Sequence, residues 1–139
     1  MNREIEFRAI RVDNGEFVYG FYVKGLASSI AYIVNYASIE LTGELAYWEV
    51  KPESVGQYTG LRDKDKVKIY EGDIVKQDHE MPFTVEYGIQ PVDAFEGIGF
   101  NLWSHYGKEQ DGTRLQAEIE IIGNVHQNPE RLNEYYGDF

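Results

Sequence analysis

The chain has 139 residues, of which 42% are hydrophobic and 14% aromatic, a composition that excludes a disordered chain and allows a sizeable core. It carries 13 basic and 24 acidic residues, and this net charge of -11 opposes general binding to nucleic acid or anionic membranes and suits neutral or basic partners. Cysteine is absent, which excludes disulfides, zinc–thiolate sites and cysteine nucleophiles.

The chain opens with a pattern typical of a β-hairpin. Ile5, Phe7 and Ala9 alternate with charged residues, and a second alternating run extends from Phe17 to Val23. Between them, residues 13–15 (Asp-Asn-Gly) tolerate the positive φ angles that a tight hairpin turn requires. These residues predict an N-terminal antiparallel hairpin.

The next segment, residues 26–36, allows two interpretations. Apolar and aromatic residues recur with a period of two and predict a strand, whereas a short helix over residues 27–33 is the alternative. Residues 45–50 predict another strand. Its adjacent Tyr47 and Trp48 then point to opposite faces, so one of the two rings belongs to the core.

The central stretch, residues 55–76, holds the densest run of turn signals. Gly56 and Gly60 lie close together, residues 62–66 form a charged turn, Val67 and Ile69 alternate with lysines as in a strand, and residues 71–73 form a second turn.

The second half of the chain predicts further short strands, at residues 83–87, 100–103 and 115–125. Pro91, Gly97 and Gly99 predict a long irregular loop over residues 88–99. Asn128 and Pro129 predict the start of a short C-terminal helix. Many short strands with little helix indicate a mainly β (β-rich α+β) fold, as a small antiparallel barrel or sandwich.

Motifs of common catalytic sites do not occur in the sequence. It has no phosphate-binding loop, no dinucleotide-binding glycine motif and no nucleophile elbow, and residues 63–68 lack the ligands of a calcium loop. The three histidines, His79, His105 and His126, could form a metal site only if the fold brought them together. We therefore predict no catalytic residue, no metal and no cofactor, and regard enzymatic activity as the less favoured alternative.

Three segments resemble, in order, the YopX family of bacteriophage and prophage proteins. They are residues 3–9 with 13–20, residues 55–61 with 63–64 and 69–75, and residues 121–125 with 128–130 and 132. One departure lies in the charged turn, where Asp65-Lys66 replaces the usual Asn-Gly of the family. Because the positive φ of glycine is lost there, we expect a looser turn or one of another type.

The second of these segments, residues 55–61 with 63–64 and 69–75, is the central signature of the family. The resemblance implies a β-rich fold in which a small SH3-like barrel contains the central signature. It also implies homo-oligomers, a phage origin and a location in the cytoplasm of a bacterial host. The family supplies no agreed activity or catalytic residues. Residues 1–139 then form a single domain, with a possible division into a hairpin region (1–52), a barrel (53–132) and a tail (133–139). The N-terminus lacks the apolar core of a signal peptide and no membrane span occurs in the sequence, which also favours the cytoplasm.

Two candidate surfaces follow. The central signature either meets the turn and core requirements of the fold or forms a recognition surface of Gln57, Tyr58, Thr59, Asp63, Tyr70 and Asp73. Residues 77–107 contain no lysine or arginine, and they predict an acidic surface of Asp78, Glu80, Glu86, Asp93 and Glu96.

The favoured function is a non-enzymatic phage or prophage accessory protein that self-associates and binds an unidentified host or phage protein through exposed aromatic residues. The alternative is an acidic inhibitor or nucleic-acid mimic that acts on a host factor. A third hypothesis, weak nucleic-acid binding through the basic turn 62–68, is opposed by the net charge.

Overall fold

The computed structural model of the chain describes residues 4–25, 29–77, 82–92, 95–100 and 119–132, with only the backbone of residues 77, 88–92 and 95–100. These residues form antiparallel sheets with few helices, which confirms the predicted mainly β fold. The helical elements are α1 (Ala37–Thr42), a 3₁₀ turn (Pro52–Ser54) and a helical turn at residues 130–132. The strands are β1 (Phe7–Ile10), β2 (Phe17–Lys24), β3 (Ala31–Asn35), β4 (Ala46–Val50), β5 (Gly56–Arg62), β6 (Lys68–Tyr70), β7 (Asp73–Gln77), β8 (Phe83–Thr84), β9 (Tyr87–Val92), β10 (Phe95–Phe100) and β11 (Ile119–Asn124).

The chain divides into two compact units, Met1–Tyr58 and Thr59–Phe139. The division falls inside β5, a few residues after the predicted division at residue 52. Within the described parts of both units, no helix is long and apolar enough to cross a membrane.

The first unit is a sheet with the strand order β4-β3-β2-β1-β5. The predicted hairpin is confirmed, because β1 and β2 pair antiparallel with Ala9 opposite Val18. One face of this sheet buries the core, which comprises Ala9, Val18, Ala31, Ile33 and Val50. The buried hydroxyl of Ser54 accepts a hydrogen bond of 2.8 Å from the backbone N–H of Ile10, and this bond fastens the 3₁₀ turn to β1.

The ambiguous segment after β2 forms a strand. β3 pairs with β2 and β4 on its two sides, so the helical alternative for residues 27–33 is wrong over the part that the structure describes. Ile33 is fully buried, and its burial within the sheet outweighs a local helical tendency. The sequence pattern missed α1, a six-residue helix without buried residues that ends at Gly43 in the left-handed conformation.

Strand β4 places its two aromatic residues as predicted. Trp48 packs against the core, whereas the Tyr47 side chain is 61% exposed. The period of two along a strand accounts for this division.

The described strands form no closed barrel, and the SH3-like barrel predicted for residues 53–132 is not confirmed. In the first unit, β4 reaches β1 only at its end, through a single bridge between Arg11 and Val50. In the second unit, β5 pairs with β6, a three-stranded sheet has the order β11-β7-β8, and β9 pairs with β10. Closure of a barrel needs a continuous ladder between its first and last strands, and one bridge does not supply it.

The second unit has its own core beneath the β11-β7-β8 sheet. Ile69, Val75, Val85 and Ile119 are fully buried there, and Leu61, Phe83 and Ile121 pack against them. The last strand contains a register shift between Ile121 and Gly123. Residues 130–132 are helical and follow Pro129, which confirms the predicted start of a C-terminal helix.

The prediction of an irregular loop over residues 88–99 is wrong for residues 88–92 and 95–99, which lie in two paired strands. β9 and β10 pair from Phe95 opposite Val92 to Phe100 opposite Tyr87. Pro91 faces Glu96 in this two-stranded ribbon. Proline has no backbone N–H to donate, but a strand with a free edge does not need that donor on its unpaired side. Pro91 therefore does not interrupt the strand, and residues that usually break strands gave the wrong prediction.

Candidate functional site

The candidate recognition surface of the central signature is almost entirely buried. Only Gln57 is half-buried. The other five side chains are at most 7% exposed, and these are Tyr58, Thr59, Asp63, Tyr70 and Asp73. These five side chains expose too little surface to act as the main contacts with a partner and serve the fold, whereas a role for Gln57 in recognition stays a prediction.

Asp63 organises the charged turn. Its Oδ1 accepts hydrogen bonds of 2.9 Å from the backbone N–H groups of Asp65 and Val67, and its Oδ2 accepts one of 3.3 Å from Ile121. The backbone also closes the turn, because the N–H of Asp63 donates to the carbonyl of Val67 at 2.8 Å. A buried carboxylate with three N–H donors fixes the turn and is not available to a ligand.

Lys66 corrects the expectation of a loose charged turn. It occupies the glycine position of the family pattern and adopts a φ of +67°, the left-handed conformation that glycine would take. The positive φ is therefore retained by a lysine. The hydrogen bonds to Asp63 hold the backbone in this conformation and offset its cost.

Asp73 and Thr59 have comparable structural roles. Asp73 Oδ2 accepts a hydrogen bond of 2.8 Å from the N–H of Tyr70, across the Glu71-Gly72 turn. The hydroxyl of Thr59 donates to the carbonyl of Ile69 at 2.8 Å. Both are satisfied within the second unit, as buried polar groups require.

The basic residues of the charged turn are engaged in contacts of their own. Arg62 donates a hydrogen bond of 2.9 Å to the carbonyl of Lys66, and Lys64 Nζ lies 3.6 Å from a carboxylate oxygen of Glu120. Two of the cations that would contact phosphates are thus already oriented toward protein acceptors. The structure gives little support to nucleic-acid binding through residues 62–68.

Of the five residues of the candidate acidic surface, the structure describes the side chain of one. Glu86 is exposed. Asp78, Glu80 and Asp93 lie outside the described residues, and Glu96 is described only by its backbone in β10. The acidic surface therefore stays a prediction.

The structure does not show whether the three histidines lie close together, because His79 and His105 are outside the described residues. His126 is exposed, and its backbone N–H donates to Asn124 Oδ1 at 3.0 Å in the turn after β11. In the portion of the chain that the structure describes, no group of three or more histidine, aspartate or glutamate residues could hold a metal ion.

A surface that the sequence did not single out lies on the first unit, on the sheet face opposite its core. The register across β2, β3 and β4 places Phe21, Val34 and Tyr47 in one row. The rings of Phe21 and Tyr36 meet edge to face at 5.4 Å, and those of Tyr32 and Tyr47 at 6.1 Å. We call this surface the aromatic face, and it comprises Tyr19, Phe21, Val23, Tyr32, Tyr36 and Tyr47.

The aromatic face is accessible to solvent. Tyr32 is half-buried, and the other five side chains are 43% to 61% exposed. The sequence of β2 contains a signal for the aromatic face, because the apolar residues Tyr19, Phe21 and Val23 recur with a period of two. The sequence could not show which side of β2 faces the core, since Val18 and Tyr22 on the other side are equally apolar.

Beside the aromatic face, a cleft of about 320 Å³ lies between residues 11–13 and β4. Its lining residues are Arg11, Val12, Asp13, Tyr47, Trp48 and Glu49.

One ion pair dominates the electrostatics of the cleft. Arg11 Nε and Nη2 donate to the two carboxylate oxygens of Asp13 at 2.8 and 2.6 Å, and the guanidinium carbon lies 6.0 Å from the centre of the Trp48 ring. The hydrogen bonds from Arg11 lower the pKa of Asp13 and raise that of Arg11.

The fold defines a mainly β protein of open antiparallel sheets, arranged in two compact units. Residues 6–133 match the family model described as YopX protein, so the chain belongs to the YopX family. The crystal structure of protein EF1440 from Enterococcus faecalis is similar, with 22% identity, a TM-score of 0.48, and coverage of 94% of this chain and 99% of that chain. No curated protein matches this chain.

Proposed function

We propose that this protein is a non-enzymatic phage or prophage accessory protein that self-associates through the aromatic face and acts as a protein-interaction module. The single observation that supports the proposal is the exposure of Tyr19, Phe21, Val23, Tyr36 and Tyr47 on one sheet face. Membership of the YopX family supports the phage origin.

The chemistry of the aromatic face suits a protein partner. Tyrosine and phenylalanine are enriched in the cores of protein interfaces, where large rigid rings bury much surface at a low cost in side-chain entropy. The six side chains of the aromatic face are uncharged, although the exposed Glu49 lies directly opposite Tyr32 on the same sheet face. Two copies of the chain would therefore bring together mainly uncharged side chains, with Glu49 beside them on β4, in spite of a net charge of -11 on each.

The oligomeric state tests self-association directly. We expect size-exclusion chromatography with light scattering to give the mass of a dimer or a larger oligomer at high micromolar concentration. The double variant Phe21→Thr/Tyr47→Thr keeps β-forming residues but removes two rings, so it should weaken association by at least about tenfold. A wild-type chain that is monomeric at this concentration would overturn the proposal.

A matched control separates the aromatic face from general surface hydrophobicity. Val67 is 53% exposed and lies in the second unit, so Val67→Thr removes an exposed apolar group elsewhere. We expect Val67→Thr to retain the wild-type mass. Equal dissociation of both variants would argue against an interface at the aromatic face.

We also propose that the chain acts in the cytoplasm of a bacterial host on a host or phage protein. Family membership supports this assignment. Affinity capture from lysate of infected or lysogenic cells tests it. The expected result is a partner that the wild type retains and the Phe21→Thr/Tyr47→Thr variant loses. An acidic inhibitor or nucleic-acid mimic would instead lose its partner when Glu86 and the other acids of residues 77–107 are neutralised.

A further inference from the structure

We propose that the cleft beside β4 binds the cationic side chain of an arginine or lysine in an extended segment of a partner protein. The cleft volume of about 320 Å³ is at the lower end of ligand sites, so it fits one long side chain better than a cofactor.

The charges of the cleft favour a cation. Arg11 is the one cation among its lining residues, and the paired Asp13 neutralises it through two hydrogen bonds. Glu49 is exposed, and within the described residues its carboxylate forms no ion pair. The cleft therefore carries one uncompensated negative charge, in a chain whose net charge is also negative.

The ring of Tyr47 supplies the second element of a cation site. Residues i and i+2 of a strand lie on one face, so Tyr47 and Glu49 flank the same space. Tyr32 meets Tyr47 edge to face at 6.1 Å and supports the position of that ring. A cation between the ring and the carboxylate would gain a cation–π contact and a charge-assisted hydrogen bond together.

The backbone of β4 explains why the cation would belong to an extended segment. The carbonyl of Glu49 accepts a hydrogen bond of 3.0 Å from the N–H of Val12, so the odd-numbered residues of β4 direct their backbone groups away from β3. Tyr47 is the next odd-numbered residue. Its N–H and C=O are directed toward the same edge, where an added strand could pair with them.

Peptide titration of the native chain by calorimetry tests the proposal. The probes are blocked seven-residue peptides in which serine and threonine alternate around one central residue, which is arginine, lysine, citrulline or glutamate. We expect saturable binding of the arginine and lysine peptides, with a Kd below about 1 mM for the tighter of the two. Citrulline keeps the shape of arginine without its charge, so its peptide and the glutamate peptide should not bind measurably.

Two matched variants locate the site. Glu49→Gln removes the uncompensated charge and should weaken the arginine peptide by about two- to fivefold, the range for a solvent-accessible ion pair. Glu44→Gln neutralises an exposed carboxylate outside the cleft and should leave binding unchanged. In a Trp103→Phe background, Trp48 is the remaining tryptophan. Its fluorescence should change as the arginine peptide is added, and the fluorescence titration should give the same Kd as calorimetry.

Three outcomes would overturn the proposal: no saturable binding of either cationic peptide, equal binding of the arginine and citrulline peptides, or equal effects of Glu49→Gln and Glu44→Gln. The two proposals share Tyr47, so the peptide titration is made at a chain concentration at which light scattering shows a monomer and no second copy covers that ring. A chain that stays monomeric at high micromolar concentration and binds the arginine peptide would refute the proposed self-association alone. A chain that associates at high concentration, but whose monomer binds no peptide, would refute only the cation site.

Discussion

The backbone N–H of Ile121 donates a hydrogen bond of 3.3 Å to the carboxylate of Asp63, which lies 58 positions earlier in the chain. The same carboxylate accepts from two N–H groups of its own turn. Lys64 adds a second connection, because its N–H donates to the carbonyl of Ile119 at 2.8 Å. The charged turn of the central signature is thus attached to the last strand within the second unit.

Asp63→Ala should destabilise the protein by about 2–4 kcal/mol, since it leaves three N–H groups around a buried position without their acceptor. Urea unfolding followed by circular dichroism measures the change. Asp65→Ala removes an exposed carboxylate from the same turn and should change the free energy of unfolding by less than about 0.5 kcal/mol. Similar losses in the two variants would contradict the role of Asp63.

Lys66→Gly should stabilise the protein by about 0.5–1 kcal/mol. A non-glycine residue at a φ of +67° costs about 1–2 kcal/mol, and the greater freedom of glycine in the unfolded chain offsets part of the gain. Lys66→Ala is the control, because it removes the same side chain without relieving the backbone, and it should show no such gain. Thermal unfolding of both variants decides whether the strain exists.

Gly20→Ala should destabilise the first unit by more than about 3 kcal/mol. A Cβ atom at Gly20 would lie 2.2 Å from the carbonyl oxygen of Val34, and neither backbone can move without disturbing the pairing of β2 with β3. Gly15→Ala is the comparison, because Gly15 has a φ of +75° but no atom within 4 Å of its Cβ position. Gly15→Ala should lower the free energy of unfolding by only about 1–2 kcal/mol. Urea unfolding of both variants should therefore show the larger loss for Gly20→Ala.

The Arg11–Asp13 pair should give the chain an acid-sensitive component of stability. The folded state holds the pKa of Asp13 below its ordinary value of 3.8, chiefly through the hydrogen bonds from Arg11. A lowered pKa means that the stabilisation is complete above about pH 4 and is lost as the pH falls through the folded-state value. At neutral pH, the wild type should have a larger free energy of unfolding than Asp13→Asn. This difference between the two proteins should become smaller at about pH 2.

Titration of the Asp13 carboxyl by NMR measures the underlying shift. We expect a pKa below 3.8 in the wild type. Arg11→Gln should raise the pKa of Asp13 toward that value. If the titration is the same in wild type and Arg11→Gln, the hydrogen bonds from Arg11 are not the cause.

Much of the local structure could be predicted because its signals are local. The alternation on both sides of residues 13–15 specified the first hairpin, and Pro129 specified the start of the last helical turn. The β9–β10 hairpin was missed because Pro91, Gly97 and Gly99 usually interrupt strands, although a two-stranded ribbon tolerates them. The candidate recognition surface was misplaced because tyrosine, threonine and aspartate can serve equally in a core, in a turn or at an interface.

The amino-acid sequence by itself determined the YopX family, the mainly β class and most of the strands, since each depends on residue spacing along the chain. Only the tertiary structure decided that Asp63 and Asp73 are buried, that Lys66 retains a left-handed backbone and that the sheets stay open within the described residues. It also decided which side of β2 is exposed, and hence where the aromatic face lies. These features depend on which distant strands pair, and a period of two is the same whichever face is covered.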